Sequence, residues 1–124
     1  MAIRRLIPAL LFGALLAVPA AAGAVHYPDN ITLTPHDPLP ANSPYHVDAC
    51  GLRPKTPYVV DTAGPPPNYP YTRVDYTSDA SGCVRYDAVT AGDTGQYTID
   101  VQQAKGWRLT VVDEHVFTVQ NPVA

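Results

Sequence analysis

Between residues 31 and 120, apolar and polar residues alternate in runs of four to seven, with Val, Ile, Leu and Tyr on one set of positions and Gly, Pro, Asp and Ser at the breaks. A period of two puts successive side chains on opposite faces of a strand. The first strand is predicted over 31–34, closed by Pro35 and followed by a Pro-rich link over 37–44. Strands follow over 45–49 and, past the turn signals at 51–55, over 56–62. Residues 72–77 alternate with Val74 and Tyr76 on one face, and the cluster 78–82 turns the chain into a strand over 83–88. The cleanest alternation is 96–102, where Tyr97, Ile99 and Val101 oppose Gln96, Thr98 and Asp100. Ala104-Lys105-Gly106 turns the chain into 107–112, Asp113-Glu114 forms a solvated bend, and 115–120 is the last strand. No segment beyond residue 25 has a helical period. The expectation is an all-β, two-sheet antiparallel sandwich of about seven strands, forming one domain over 25–124.

Residues 1–24 break this pattern. Arg4 and Arg5 precede an apolar run over 6–18, interrupted only by Pro8 and Gly13, and small residues fill 19–24 with Ala22 and Ala24 ahead of Val25. That order predicts a signal peptide cleaved before Val25. The run is shorter than the ~20 apolar residues of a spanning helix, which disfavours a membrane anchor. The chain is therefore expected to be secreted, with no membrane association after cleavage.

Charge narrows the partners. Eleven acids oppose eight bases, a net of −3, and without Arg4 and Arg5 the balance is −5. A phosphate-binding surface needs the opposite sign, so nucleic acid is excluded as the expected partner. Charged residues are only 15% of the chain against the usual ~25%, which with eight Tyr argues against disorder.

Export also decides how the two cysteines are read. An even count in an oxidising compartment predicts a Cys50–Cys83 disulfide in preference to two buried thiols. Closing a loop of this size is worth roughly 3 to 4 kcal/mol in the chain-entropy account.

Catalytic patterns are scarce. The sequence has no nucleophile elbow, Gly-rich phosphate loop, Cys-x-x-Cys pair or closely spaced His/carboxylate motif, and no cofactor or metal is expected. His26, His36, His46 and His115 are scattered. His46 and Asp48 share one face of a predicted strand and are read as outward polar residues, as are His26 and Asp29 near the mature terminus.

Asp93-Thr94-Gly95-Gln96-Tyr97 resembles the Asp-x-Gly-x-Tyr corner of immunoglobulin-type domains. With the strand into Ala-Cys-Gly-Leu-x-Pro, Asp-Ala-Ser-Gly-Cys and the final Val-Phe-Thr-Val, the chain over about 30–120 resembles secreted bacterial immunoglobulin-like domains. The resemblance implies that Tyr97 bonds back to the preceding chain, with Asp93 and Gly95 shaping the corner. Ile99 stands two residues after Tyr97 where antibody domains carry Cys, so their inter-sheet bridge is missing and Cys50–Cys83 joins other strands.

The candidate recognition surface is the loop Pro65, Pro66, Pro67, Asn68, Tyr69, Pro70, Tyr71, expected to be extended and stiff and to display the two tyrosines. The competing reading is a durable connection at the sandwich edge. Trp107 is expected to cap one end of the core. Together these features point to a secreted, non-catalytic binding module whose partner is an extracellular protein, a cell-surface group or a small molecule. The alternatives are a small-ligand carrier, by architectural analogy with neocarzinostatin-type apoproteins, and third a secreted enzyme assembled from distant residues.

Overall fold

The computed structural model describes residues 27–122; the expected signal peptide and His26 lie outside them. Within the described residues eight strands form two sheets: β1 (Ile31–Thr34), β2 (Leu39–Pro40), β3 (Pro44–Ala49), β4 (Pro57–Ala63), β5 (Tyr71–Thr77), β6 (Val84–Val89), β7 (Gly95–Lys105) and β8 (Arg108–Gln120). No helix occurs among the described residues. One sheet has the order β1-β3-β6 and the other β2-β8-β7-β4-β5. The core is what the alternating pattern turns inward. Val47 and Ala49 from one sheet meet Val60, Ile99, Val101, Phe117 and Val119 from the other, all nearly sealed from solvent.

The segment from β1 to β2 determines which side of the sandwich is closed. β1 pairs antiparallel with β3, while β2 pairs parallel with β8, placing Leu39 opposite Val119. One stretch of chain therefore begins in one sheet and ends in the other, and Pro35 and Pro38, which lack donors for a ladder, lie where it crosses. The expected Pro-rich link thus contains a short strand, and this single parallel pairing departs from the all-antiparallel expectation. At the opposite side, β5 and β6 are the edges of their sheets, and no strand among the described residues joins them.

The C-terminal region corrects the sequence reading further. The two expected final strands are one continuous β8, paired with β7 along its length except for an irregularity at Val101/Gln102. This bulge puts Asp113 opposite Val101, facing inward, so the expected solvated bend does not exist there. Asp113 is only 1% exposed, and its Oδ1 accepts the Asn30 N–H at 2.9 Å. Trp107 also departs from expectation. It sits at the β7–β8 hairpin tip, where Gly106 takes φ 66°, and is 94% exposed, so it caps no core.

At two of the crossovers between the sheets, side-chain hydrogen bonds fix the path of the chain. From β5 to β6, Asp79 Oδ1 accepts the N–H groups of Ser81 and Cys83 at 2.8 and 3.0 Å, while the Ser78 hydroxyl accepts from Thr56 N and donates to Arg53 O. Gly82 is required in this turn: its φ is +78° and a Cβ there would strike the Leu52 carbonyl. Cys50 and Cys83 are bonded with Cα atoms 4.1 Å apart, one residue beyond the Ala49/Val84 pair, so the bridge joins neighbouring strands of one sheet. From β6 to β7, the Thr90 hydroxyl donates to Pro40 O at 2.7 Å and accepts the Ser43 N–H at 2.9 Å. Past that point Tyr97 Oη donates to Asp93 O at 2.7 Å.

Tyr97→Phe removes this last bond while keeping the ring. A buried hydroxyl-to-carbonyl bond contributes on the order of 1 kcal/mol, and urea unfolding of the variant should lose about that much. Stability equal to that of the parent would mean that the corner bond carries no weight.

Candidate functional site

The gap between β5 and β6 is a cleft of about 260 Å³. Its floor is aromatic: Tyr97 stacks on Phe117 at 5.4 Å between centroids, and Tyr45 meets the same Phe117 at 5.9 Å. The lining runs from Pro70 to Tyr76 on one wall and from Tyr86 to Ala91 on the other. Tyr76 and Tyr86 stack across the gap at 4.8 Å and stand at its end. Five of the chain's eight tyrosines line this one space. Burial pushes the Tyr86 hydroxyl well above the ordinary phenol range, as do the neighbouring Tyr45 and Tyr76. The Tyr86 oxygen is sealed from solvent, with the Thr62 side chain beside it.

The Pro-rich loop lies at the other end of the cleft. It is not the extended spacer that its composition suggests. Gly64 N donates to Pro70 O at 2.7 Å and Tyr69 N to Pro65 O at 3.0 Å, which closes the loop into a turn with Tyr69 at φ 48°. Gly64 must be Gly, because a Cβ would overlap the Tyr97 ring and Pro70. Asn68 Nδ2 donates to Asp93 Oδ2 at 2.8 Å, and Pro65 packs on the Gly95 backbone so closely that a Cβ there would meet its ring. The structure thus joins the loop and the Asp93-Gly95-Tyr97 corner into one unit. Tyr69 and Tyr71 are exposed, with Val74 and Val89 exposed beside them at the cleft rim. Cys50–Cys83 lies at the opposite end of the strands.

The outer faces carry the charges. On the three-stranded sheet, Asp87 Oδ1 and Asp48 Oδ1 lie 2.8 and 3.3 Å from the two ring nitrogens of His46, and Arg85 bridges Asp48 to Asp79. The bond to Asp87, then that to Asp48, holds the His46 imidazole above its ordinary range. The expected pairing of His46 with Asp48 on an outward face is therefore part of a longer polar ladder. Asp29 pairs with His115 at 2.8 Å. Among the described residues no group of three or more His, Cys, Asp or Glu side chains has metal-binding geometry.

On the five-stranded sheet, cross-strand pairing aligns Arg73, Asp61, Asp100 and Glu114 in one row. Arg73 forks onto Asp61 with two bonds of 2.7 Å and Gln102 adds a third at 2.6 Å, so the guanidinium first of all holds Asp61 below the usual carboxylate range. Asp100 has no ion-pair partner among the described residues. Burial, followed by the facing Glu114 and the charge of Asp61, pushes it up to about 7.

A carboxyl whose folded value lies above its unfolded one retains a proton that the unfolded chain has lost. That stabilisation is complete below the ordinary carboxylate range and disappears as pH rises through about 7. Asp100→Asn should therefore raise stability at pH 8 relative to the parent and leave pH 4 nearly unchanged, as read by urea midpoints. Equal pH profiles for parent and variant would refute the assignment.

No protein family, curated protein or solved structure matches this chain.

Proposed function

We propose that the chain is an exported, non-catalytic binding module of immunoglobulin-like fold that recognises its target through the open side of the sandwich. One observation carries the reading. The exposed Tyr69 and Tyr71 are held on a turn locked to the Tyr97 corner, directly beside an aromatic cleft. A preordered loop costs little entropy when it binds, and tyrosine offers a large contact area with few torsions.

The fold half of the proposal is supported by strand order. A sheet of first, third and sixth strands facing one of eighth, seventh, fourth and fifth matches an A-B-E sheet over a G-F-C-C′ sheet, with β2 as a detached piece of the first strand. The Tyr97 bond to Asp93 O has the direction of a tyrosine corner. The intra-sheet position of Cys50–Cys83 is a departure from the antibody pattern. Export is supported by the basic and apolar start of the sequence, and a disulfide is compatible with an oxidising compartment.

Two measurements test these halves separately. Intact mass of chain recovered from the medium should correspond to a start at Val25; a cell-retained chain still carrying Met1 overturns export. Replacing Tyr69 and Tyr71 together with Ala should weaken capture of the material that the parent chain retains by about 2 kcal/mol, roughly thirtyfold, while the melting temperature holds. Unaltered capture overturns the assignment of the recognition surface.

A further inference from the structure

We infer that two copies of this chain join edge to edge through β5, the strands running antiparallel so that Arg73 of each copy faces Asp75 of the other. This goes beyond the recognition surface proposed above and does not depend on it.

β5 leaves one set of backbone groups turned outward. In an antiparallel ladder, opposite residues alternate between pairs that exchange two hydrogen bonds and pairs that exchange none. Gly64 N donates to Pro70 O and Ser78 N to Thr56 O, and these are the pairs just beyond either end of the β4–β5 register. The same parity runs between them, so Thr72, Val74 and Tyr76 spend their backbone groups on β4. Tyr71, Arg73, Asp75 and Thr77 turn theirs to the edge, where no strand among the described residues takes them up. β5 is exposed along almost its whole length.

The order of side chains on that edge selects the partner. An antiparallel copy centred on Val74 sets Tyr71 against Thr77 and Arg73 against Asp75, matching outward backbone groups on both strands over all of β5. At two bonds per pair the seam gains about eight hydrogen bonds. Sliding by one residue mismatches the outward groups. Sliding by two sets Arg73 against Arg73 or Asp75 against Asp75, and like charges directly opposite are destabilising. The charges that repel an arbitrary strand therefore admit this one, in one register. That register is two-fold symmetric, so it closes as a dimer and does not propagate as a fibre.

β6 carries a similar order in Arg85 and Asp87, but its charges are committed within one copy. Arg85 holds Asp48 and Asp79, and Asp87 holds His46. On β5, Asp75 makes no ion pair among the described residues, and half of the Arg73 side chain stays exposed beyond its fork on Asp61. Joining β5 to its copy sets two Tyr71 residues about 20 Å apart along the seam, at ~3.4 Å per residue. The dimer thus presents two tyrosine loops.

Sedimentation velocity of the purified chain over a concentration series should show a monomer–dimer equilibrium. As concentration rises, amide exchange should slow by about tenfold at Arg73, Asp75 and Thr77 and stay unchanged at Val74, already bonded to β4. Val74→Cys should cross-link into a covalent dimer under mild oxidation, because the two-fold sets the paired Cβ atoms about 5 Å apart. Thr72→Cys should not, since its two copies lie about 14 Å apart along the seam. Asp75→Lys turns two opposite-charge contacts into like-charge ones and should weaken association by about tenfold, while Asp75→Glu retains it. Asp87→Lys on β6 should leave association unchanged. The inference fails if the chain is monomeric at every concentration, or if a dimer forms without slowed exchange at Arg73, Asp75 and Thr77. It fails equally if Thr72→Cys cross-links as readily as Val74→Cys, or if Asp87→Lys disrupts the dimer and Asp75→Lys does not. A monomeric chain whose capture still falls with the paired Tyr69 and Tyr71 substitutions removes the seam and leaves the recognition surface standing. A dimer with unaltered capture does the reverse.

Discussion

The Tyr97 ring stands where three requirements meet. One face stacks on Phe117 in the core, its hydroxyl holds the Asp93 carbonyl, and its edge fills the space that Gly64 leaves by having no side chain. The first contact is hydrophobic and sets where β7 packs. The second fixes the path of the chain entering that strand. The third transmits both to the loop after β4, because a loop that lies against a fixed ring has few alternatives left. Without this ring the floor of the cleft, the corner and the tyrosine-bearing turn would lose their common reference.

The two sides of the sandwich are built differently. On one, the β1–β2 segment crosses between sheets and closes the layer. On the other, β5 and β6 end their sheets with unpaired backbone edges. Exposed edges invite pairing with other chains, and charged side chains are the usual protection. Arg73 and Asp75 on β5, with Arg85 and Asp87 on β6, supply it here. The charges keep the edges apart from unmatched strands while the interior between them stays apolar, as the lining of ligand pockets mostly is.

Much of this was legible from residue order, for reasons that are local. The period-two pattern of Gln96 to Gln102 marked β7 because one face is core and the other is not. The Asp93-to-Tyr97 spacing pointed to the corner because both groups of that bond lie within five residues. Cys50 and Cys83 were legible as a pair from count and compartment. What was hidden depends on distant partners. β2 exists only because β8 accepts it in parallel, and nothing in Leu39-Pro40 announces that. Asp113 reads as a surface residue until a one-residue bulge turns it inward to meet Asn30. The prolines after Gly64 suggest extension, but two backbone bonds across the loop close it. The cleft had one faint signal, an unusual number of tyrosines. No local pattern states that two sheet edges stay unjoined.

Trp107 is the only tryptophan of the chain, and it projects from a hairpin tip almost wholly into water. Its indole is therefore hydrated in the native state much as it is in the denatured one. The emission wavelength of this protein should report on the mobility of one hairpin and little else, leaving global unfolding nearly invisible to tryptophan fluorescence. The optical signature of the native fold belongs to the clustered tyrosines, whose near-ultraviolet dichroism arises from rings held in fixed mutual orientation.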